Sequence, residues 1–331
     1  MKIRYLGNKE LISPEIVKLL KSKGLLGKKL KFFDAFCGTG SVSDSVKQHF
    51  DIAVNDILIS SVTYTRGRLV AQNCTFQKLG KDPFDFFNSN NNRLEGFIFN
   101  TYSPGGSERM YFSEENAGRI DYFRATIESW YDGKKINDDE YHYLLACLIE
   151  SVSFVSNTAG VYGAFLKKWD SRALKPIQFL KVESLDGGNL SLEYHNSKVE
   201  EIIAEVSCDI LYLDPPYTQN QYGTQYHLLE TLVLDDNPSV SRVTGSRPVT
   251  PTRSDWSIDF KTHIHFDHVI ANTRAKYVLF SYSPDGFMTK KYIDACLKRY
   301  GKWETYQCKK IDYKRYENWK SKKGKSHFEY L

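Results

Sequence analysis

The chain has 331 residues, 41% of them hydrophobic and 26% charged, with a formal net charge of +5. That balance excludes a disordered or fibrous chain and suits one substantial core with a smaller second lobe. No apolar run reaches the roughly 18 residues of a membrane span, and the opening MKIRYLGNKELI lacks a signal-like stretch, so a cytoplasmic location is expected.

Apolar positions recur at helical spacing over 10–23 (ELISPEIVKLLKSK), and residues 24–29 break that pattern. The run LKFFDAF then predicts a buried strand, SVSDSVKQHF (41–50) a helix and DIAVND a second strand. This βαβ opening points to an α/β fold with a doubly wound parallel sheet. Residues 73–95 are rich in Asn and Asp, and 96–195 carry helical patterns with no strong parallel-strand signal. The expected organisation is therefore a first half-domain over 1–72, an inserted, mainly helical lobe over 73–195, and a second half-domain over 196–331. Sheet character returns at CDILYLDPPY, at YVLFSY (277–282) and from Trp303 to the end, while the proline- and serine-rich 237–256 reads as a long loop.

Six cysteines (Cys37, Cys74, Cys147, Cys208, Cys296, Cys308) form no CxxC pair, which argues against zinc and against a disulfide framework; no metal is expected. The charge is uneven. Residues 309–325 hold eight Lys/Arg against Asp312 and Glu317, a net +6, leaving −1 for the remainder. With Tyr313, Tyr316 and Trp319 interleaved, that segment suits a phosphate backbone; a solvated strand pair with basic edges explains it equally well.

Two motifs carry chemistry. In FDAFCGTGSVS the strand ends at Phe36, and Gly38 and Gly40 let the backbone turn tightly and approach a ligand. Sixteen residues beyond Gly40, Asp56 closes the second strand, where a carboxylate can accept from both hydroxyls of an adenosine ribose. That spacing serves NAD and S-adenosylmethionine alike. The second motif is Asp214-Pro215-Pro216-Tyr217, directly after the apolar ILYL. Two prolines cannot continue a ladder, so the chain leaves the sheet rigidly with Asp214 and the Pro215 carbonyl at its carboxyl edge. A carboxylate and a carbonyl there can accept the two N–H groups of an exocyclic amine and aim its lone pair at a methyl group, with Tyr217 stacked on the base.

Together these residues resemble the Dam-like (D12 class) N6-adenine DNA methyltransferases over nearly the whole chain. The resemblance implies a Rossmann-like S-adenosylmethionine-dependent domain with an inserted DNA-recognition lobe. It implies that RYLGNK brings Tyr5, Gly7 and Lys9 to the cofactor, with Phe36, Gly38 and Gly40 as its loop and Asp56 as its ribose acid. Asp214 to Tyr217 would be the catalytic tetrapeptide, with Asp214 also facing the cofactor. The segments 156–176 and 277–288 and the terminal FEYL are similar to the family as well. The chain departs from it before the catalytic strand, where HNSKVEE replaces a usual Asp, leaving Asn196 or Ser197 as the polar partner of the cofactor adenine.

Such an enzyme must grip double-stranded DNA, and the candidates are Lys167, Lys168, Arg172 and Lys175 beside Tyr162, Phe165 and Trp169, with Arg242, Arg247 and Arg253 in the long loop. The expected reaction is one-step methyl transfer to a flipped adenine, in a restriction-modification setting with a separate endonuclease. A cytosine-N4 or RNA adenine methyltransferase uses the same acceptor geometry. A nicotinamide-dependent oxidoreductase shares the glycine turn but leaves DPPY unexplained.

Overall fold

The computed structural model describes residues 5–187, 191–313 and 327–331. Its centre is a five-stranded parallel sheet made of β1 (Lys31–Asp34), β2 (Asp51–Asn55), β3 (Leu192–His195), β4 (Ile210–Leu213) and β5 (Tyr277–Phe280), in the order β3-β2-β1-β4-β5. β4 is buried along its whole length and β1 along all but its first residue, which is why both read as near-continuous apolar runs. Strand order runs outward from β1 on one side and from β4 on the other. The reversal point lies between them, where Phe32 pairs with Ile210 and Asp34 with Tyr212, and ligands of such sheets bind outside the carboxyl ends at that point.

The first helix, α1 (Ser13–Ser22), starts with a proline in its first turn and buries Ile16 and Leu20. The next, α2 (Ser41–Val46), is shorter than its sequence pattern suggests: Val46 O accepts from His49 N–H in a turn that carries Phe50 into the core. After β2 comes α3 (Ile59–Val70), buried over most of its length.

The insertion contains α4 (Pro83–Asn88), α5 (Phe97–Tyr102), α6 (Glu114–Asp132) and α7 (Asp138–Val155). A capping box starts α7: Asn137 Oδ1 accepts from Glu140 N–H while the Glu140 carboxylate accepts from Asn137 N–H. Every residue of α7 from Tyr143 to Ser153 is buried, because one side faces α3 and another faces α6. Its core is continuous with Tyr64 and Val70 of α3 and with Leu228 and Leu229 farther along the chain. Helix ends at Val155, and residues 156–187 are irregular, held by side chains that satisfy backbone groups: Asn157 donates to Met110 O and Leu166 O, and Asn116 to Ala173 O and Lys175 O. Leu192–His195 falls within the stretch assigned to the lobe from sequence, yet it pairs with β2 as the edge of the central sheet. All four residues of this short edge strand are only partly buried, so it has no apolar run to announce it.

The second half carries α8 (Val199–Ile202), α9 (Tyr222–Gln225), α10 (His227–Leu234), α11 (Asp259–Asn272) and α12 (Lys290–Tyr300). The loop over 237–256 holds only two short 3₁₀ turns. A separate antiparallel ribbon, β6 (Lys310–Tyr313) and β7 (His327–Tyr330), is tied to the end of β5 by two backbone hydrogen bonds between Tyr282 and Tyr330, at 3.0 and 2.9 Å. Most of the basic segment, with Tyr316 and Trp319, lies outside the described residues. Among the described residues no helix is long and apolar enough to cross a membrane.

Candidate active site

The carboxyl ends of β1, β2 and β4 open into one cleft of about 850 Å³, counting its mouth, a size suited to a small-molecule ligand. The loop after β1 forms one wall. Gly38 and Gly40 have φ of +50° and +66°, and a Cβ on Gly40 would lie 2.7 Å from Thr65 Cγ2. Side chains are excluded there by both backbone and space. Asp56 Oδ2 accepts from Gly38 N–H (3.0 Å) and Oδ1 from Leu58 N–H (2.9 Å). An ionised carboxylate has about four acceptor positions, so two remain beyond these amides on a residue that lines the cleft. Burial pushes Asp56 up to about 7 despite those amides. At the end of β1, Asp34 Oδ2 accepts from Ser43 Oγ at 2.6 Å, whereas Oδ1 is buried without a hydrogen-bond partner. Burial raises Asp34 to about 6.

The N-terminal motif docks on Tyr222 of α9, on Tyr226 just after it and on Ser61 of α3. Tyr5 stacks on Tyr226 at 4.4 Å and shares a hydrogen bond with Ser61, Leu6 N–H donates to the Tyr226 hydroxyl, and Gly7 lies against the Tyr222 hydroxyl. Tyr5, Gly7 and Phe36 therefore line the same cleft as the glycine loop. Lys9 runs on to the other motif, where its buried Nζ lies 3.0 Å from Asp214 Oδ1 and donates to Glu329 Oε1 at 2.9 Å.

Asp214 follows β4 and is 12% exposed. Its Oδ1 is close enough to Lys9 to pair in charge, but the approach is skewed and that oxygen is buried with no aligned donor. Burial drives Asp214 above the ordinary carboxylate range; Lys9 pulls it back and Glu329 adds to the rise. Burial opposes the Lys9 charge, and the two carboxylates outweigh it, so the ammonium stays protonated. Tyr217 packs edge-on against Tyr282 (5.8 Å, 72°), and its carbonyl accepts from Phe287 N–H, so the segment 277–288 pins the tetrapeptide. Asp214, Pro215, Pro216 and Tyr217 all line the cleft opposite Asp56.

With two facing carboxylate edges and a glycine loop in place, one comparison decides the family: residues 5–293 match the D12 class N6 adenine-specific DNA methyltransferases. The chain belongs to this family. It is 35% identical to the type II methyltransferase M.FokI of Planomicrobium okeanokoites over 99% of its own length and 52% of that protein. To the modification methylase StsI of Streptococcus sanguinis it is 31% identical, over 99% of its length and 51% of the relative. The chain thus spans about half the length of these two. Against M.NlaIII of Neisseria lactamica it is 35% identical over 91% of its own length and 89% of the relative.

Several residues of this cleft and its edges carried no role in the sequence. Trp256 lines the cleft, packs edge-on against Phe36 at 5.2 Å and donates from Nε1 to Glu200. Glu329 was visible only as part of FEYL, and Asp34 only as part of the glycine motif. Of the two candidates in HNSKVEE, Asn196 donates to Asp56 O (2.8 Å), while Ser197 lines the cleft.

The basic residues divide. Lys167, Lys168, Lys175, Arg242 and Arg253 are exposed. Arg172 instead donates to Ser156 O and Arg247 grips Asp236 through both Nη atoms at 3.1 and 2.7 Å. The turn carrying Arg242 is clamped: Arg109 donates to Ser241 O and Arg242 O, Tyr111 to Thr244 O and Tyr102 to Gly245 O. Tyr111 also reaches Tyr162 O, so this turn and the Lys167–Lys168 segment share an anchor.

Proposed function

We propose that the chain transfers a methyl group from S-adenosylmethionine to N6 of an adenine rotated out of duplex DNA. The observation that carries this reading is the Asp214 carboxylate at the edge of a cleft whose far side holds Asp56, with an Oδ1 that meets only a skewed ion pair to Lys9. The cleft residues fit the cofactor. Asp34 Oδ1 lacks a partner and suits an α-ammonium, the open positions of Asp56 suit two ribose hydroxyls, and Phe36 with Trp256 offers an apolar wall for adenine. When bound, S-adenosylmethionine supplies a cationic sulfonium whose methyl is the electrophile.

The chain's own work is alignment. An exocyclic amine is a poor nucleophile because its lone pair is delocalised into the ring. Asp214 and the Pro215 carbonyl accept its two N–H groups and draw the nitrogen toward tetrahedral geometry, while Tyr217 stacks on the base. The inserted lobe, from residue 73 to 187, and the clamped turn at 241–246 face the duplex, with Lys167, Lys168, Lys175, Arg242 and Arg253 on phosphates. Arg172 and Arg247 hold those segments in shape. The biological role is protection of host DNA in the cytoplasm against a separate restriction endonuclease.

The test is direct. Plasmid DNA and RNA, each incubated with the protein and S-adenosylmethionine and then digested to nucleosides for mass spectrometry, should yield N6-methyladenine in the DNA. Methylated cytosine, methylation confined to RNA, or no methylated nucleoside would refute the assignment.

A further inference from the structure

Three charged side chains from distant parts of the chain meet at the catalytic edge, and they are not equivalent. Lys9 Nζ has one aligned hydrogen bond, to Glu329 Oε1 at 2.9 Å, although Asp214 Oδ1 is as near, at 3.0 Å. Glu329 is 2% exposed, and its other oxygen accepts from Ser281 Oγ at 3.0 Å. The Tyr282–Tyr330 backbone pair sets the register that brings Glu329 to the inner face of β7. A lysine shared with Asp214 alone would close on that carboxylate and fill the lone pair an incoming amine needs.

We propose that Glu329 is a positioning residue: it takes the Lys9 hydrogen bond, so that Asp214 feels the ammonium's field yet keeps its acceptor capacity for the amine of the target base. This rests on the methyl transfer proposed above. Without Glu329, Lys9 would swing onto Asp214. The carboxylate would be held ionised more firmly and would accept from the amine less well. The other groups whose charge reaches Asp214 are Asp34 of β1 and the phenols of Tyr212 and Tyr222. None of these changes in the substitution below.

Glu329→Gln keeps the shape and removes the charge. Single-turnover methyl transfer should fall about 10- to 100-fold while cofactor and DNA dissociation constants stay within about twofold, as for loss of a group that orients the reacting centre. The acid limb of the pH–rate profile should move down by about one unit, because a negative neighbour of Asp214 is gone. Carbon-13 titration of the Asp214 carboxylate in cofactor-free protein, assigned with Asp214→Asn, should show the same downward move. Glu329→Asp should recover part of the rate. A folded Glu329→Gln protein with a near wild-type rate, or an unmoved Asp214 titration, overturns the proposal. Should that variant lose its melting transition, Ser281→Ala, which frees Glu329 from its hydroxyl donor, should still slow transfer several-fold; a wild-type rate there overturns it equally. If the wild-type chain forms no N6-methyladenine, the activity reading fails, while the carboxylate titration still decides the role of Glu329.

Discussion

Cofactor affinity should depend on pH through Asp56. With the cleft empty its carboxyl titrates near 7, raised by burial. Two ribose hydroxyls donating to the open acceptor positions would favour the anion and return it toward the ordinary carboxylate value of about 4. Binding therefore prefers ionised Asp56, so affinity is complete above about pH 7 and is lost as pH falls through that value. At pH 6 about one molecule in ten is ionised, and the dissociation constant should be about tenfold weaker than at pH 8, or about 1.4 kcal/mol. Calorimetry in buffers of different ionisation enthalpy should count nearly one proton released per ligand at pH 6 and close to none from this group at pH 8. Asp56→Asn should abolish the slope between pH 7 and 6.5 and weaken binding at pH 8 by about 1.5–3 kcal/mol, the worth of hydrogen bonds to a charged group. A flat affinity profile in the wild type, or an unchanged slope in the asparagine variant, would refute the assignment of this carboxylate to the ribose.

Asp214→Ala should lower single-turnover methyl transfer by at least about 100-fold while cofactor binding measured by calorimetry changes little. Tyr217→Phe should keep most activity and Tyr217→Ala lose much of it, with 2-aminopurine fluorescence at the target position reporting the lost stack, worth about 1–3 kcal/mol; equal damage in both would exclude stacking. Gly40→Ala must place a Cβ 2.7 Å from Thr65 Cγ2 in a left-handed backbone, so cofactor binding should fail before the fold does, as a melting curve alongside calorimetry would reveal. Lys167→Ala and Arg242→Ala should each reduce the salt slope of DNA binding by about one unit. Arg247→Ala, whose guanidinium grips Asp236, should chiefly lower the melting temperature.

The sequence displayed the parts of the site that are local. β1, the glycine turn, α2 and Asp56 lie within one βαβ unit, and their periodicity and spacing expose them directly. The tetrapeptide is legible because two prolines after a buried strand leave few alternatives. Lys9, read in the sequence as a cofactor residue, does line the cleft, and its contacts with Asp214 and with Glu329, 320 residues away, are ones no local pattern encodes. Trp256 reaches the cleft from the end of an irregular loop, and its indole N–H is satisfied by Glu200 of α8, a tertiary match invisible in one dimension. β3 escaped because an edge strand of four half-buried residues needs no apolar run. Arg172 and Arg247 read in the sequence as DNA contacts, and the structure adds partners that no local pattern shows, the Ser156 carbonyl for one and the Asp236 carboxylate for the other.

The separation between these local and distant contacts bears on how the molecule reaches its native state. Loop closure favours short-range contacts first, and pairings of high sequence separation form late. The pocket half built from β1, α2 and β2 needs a chain segment of modest length, whereas the edge at Asp214 needs β1 beside β4, Lys9 beside Glu329, and the β6–β7 ribbon docked at Tyr282. During refolding from denaturant, helical signal should return first, cofactor affinity next and turnover last. A population that binds ligand but does not yet methylate would be the kinetic trace of a site closed by its most distant residues.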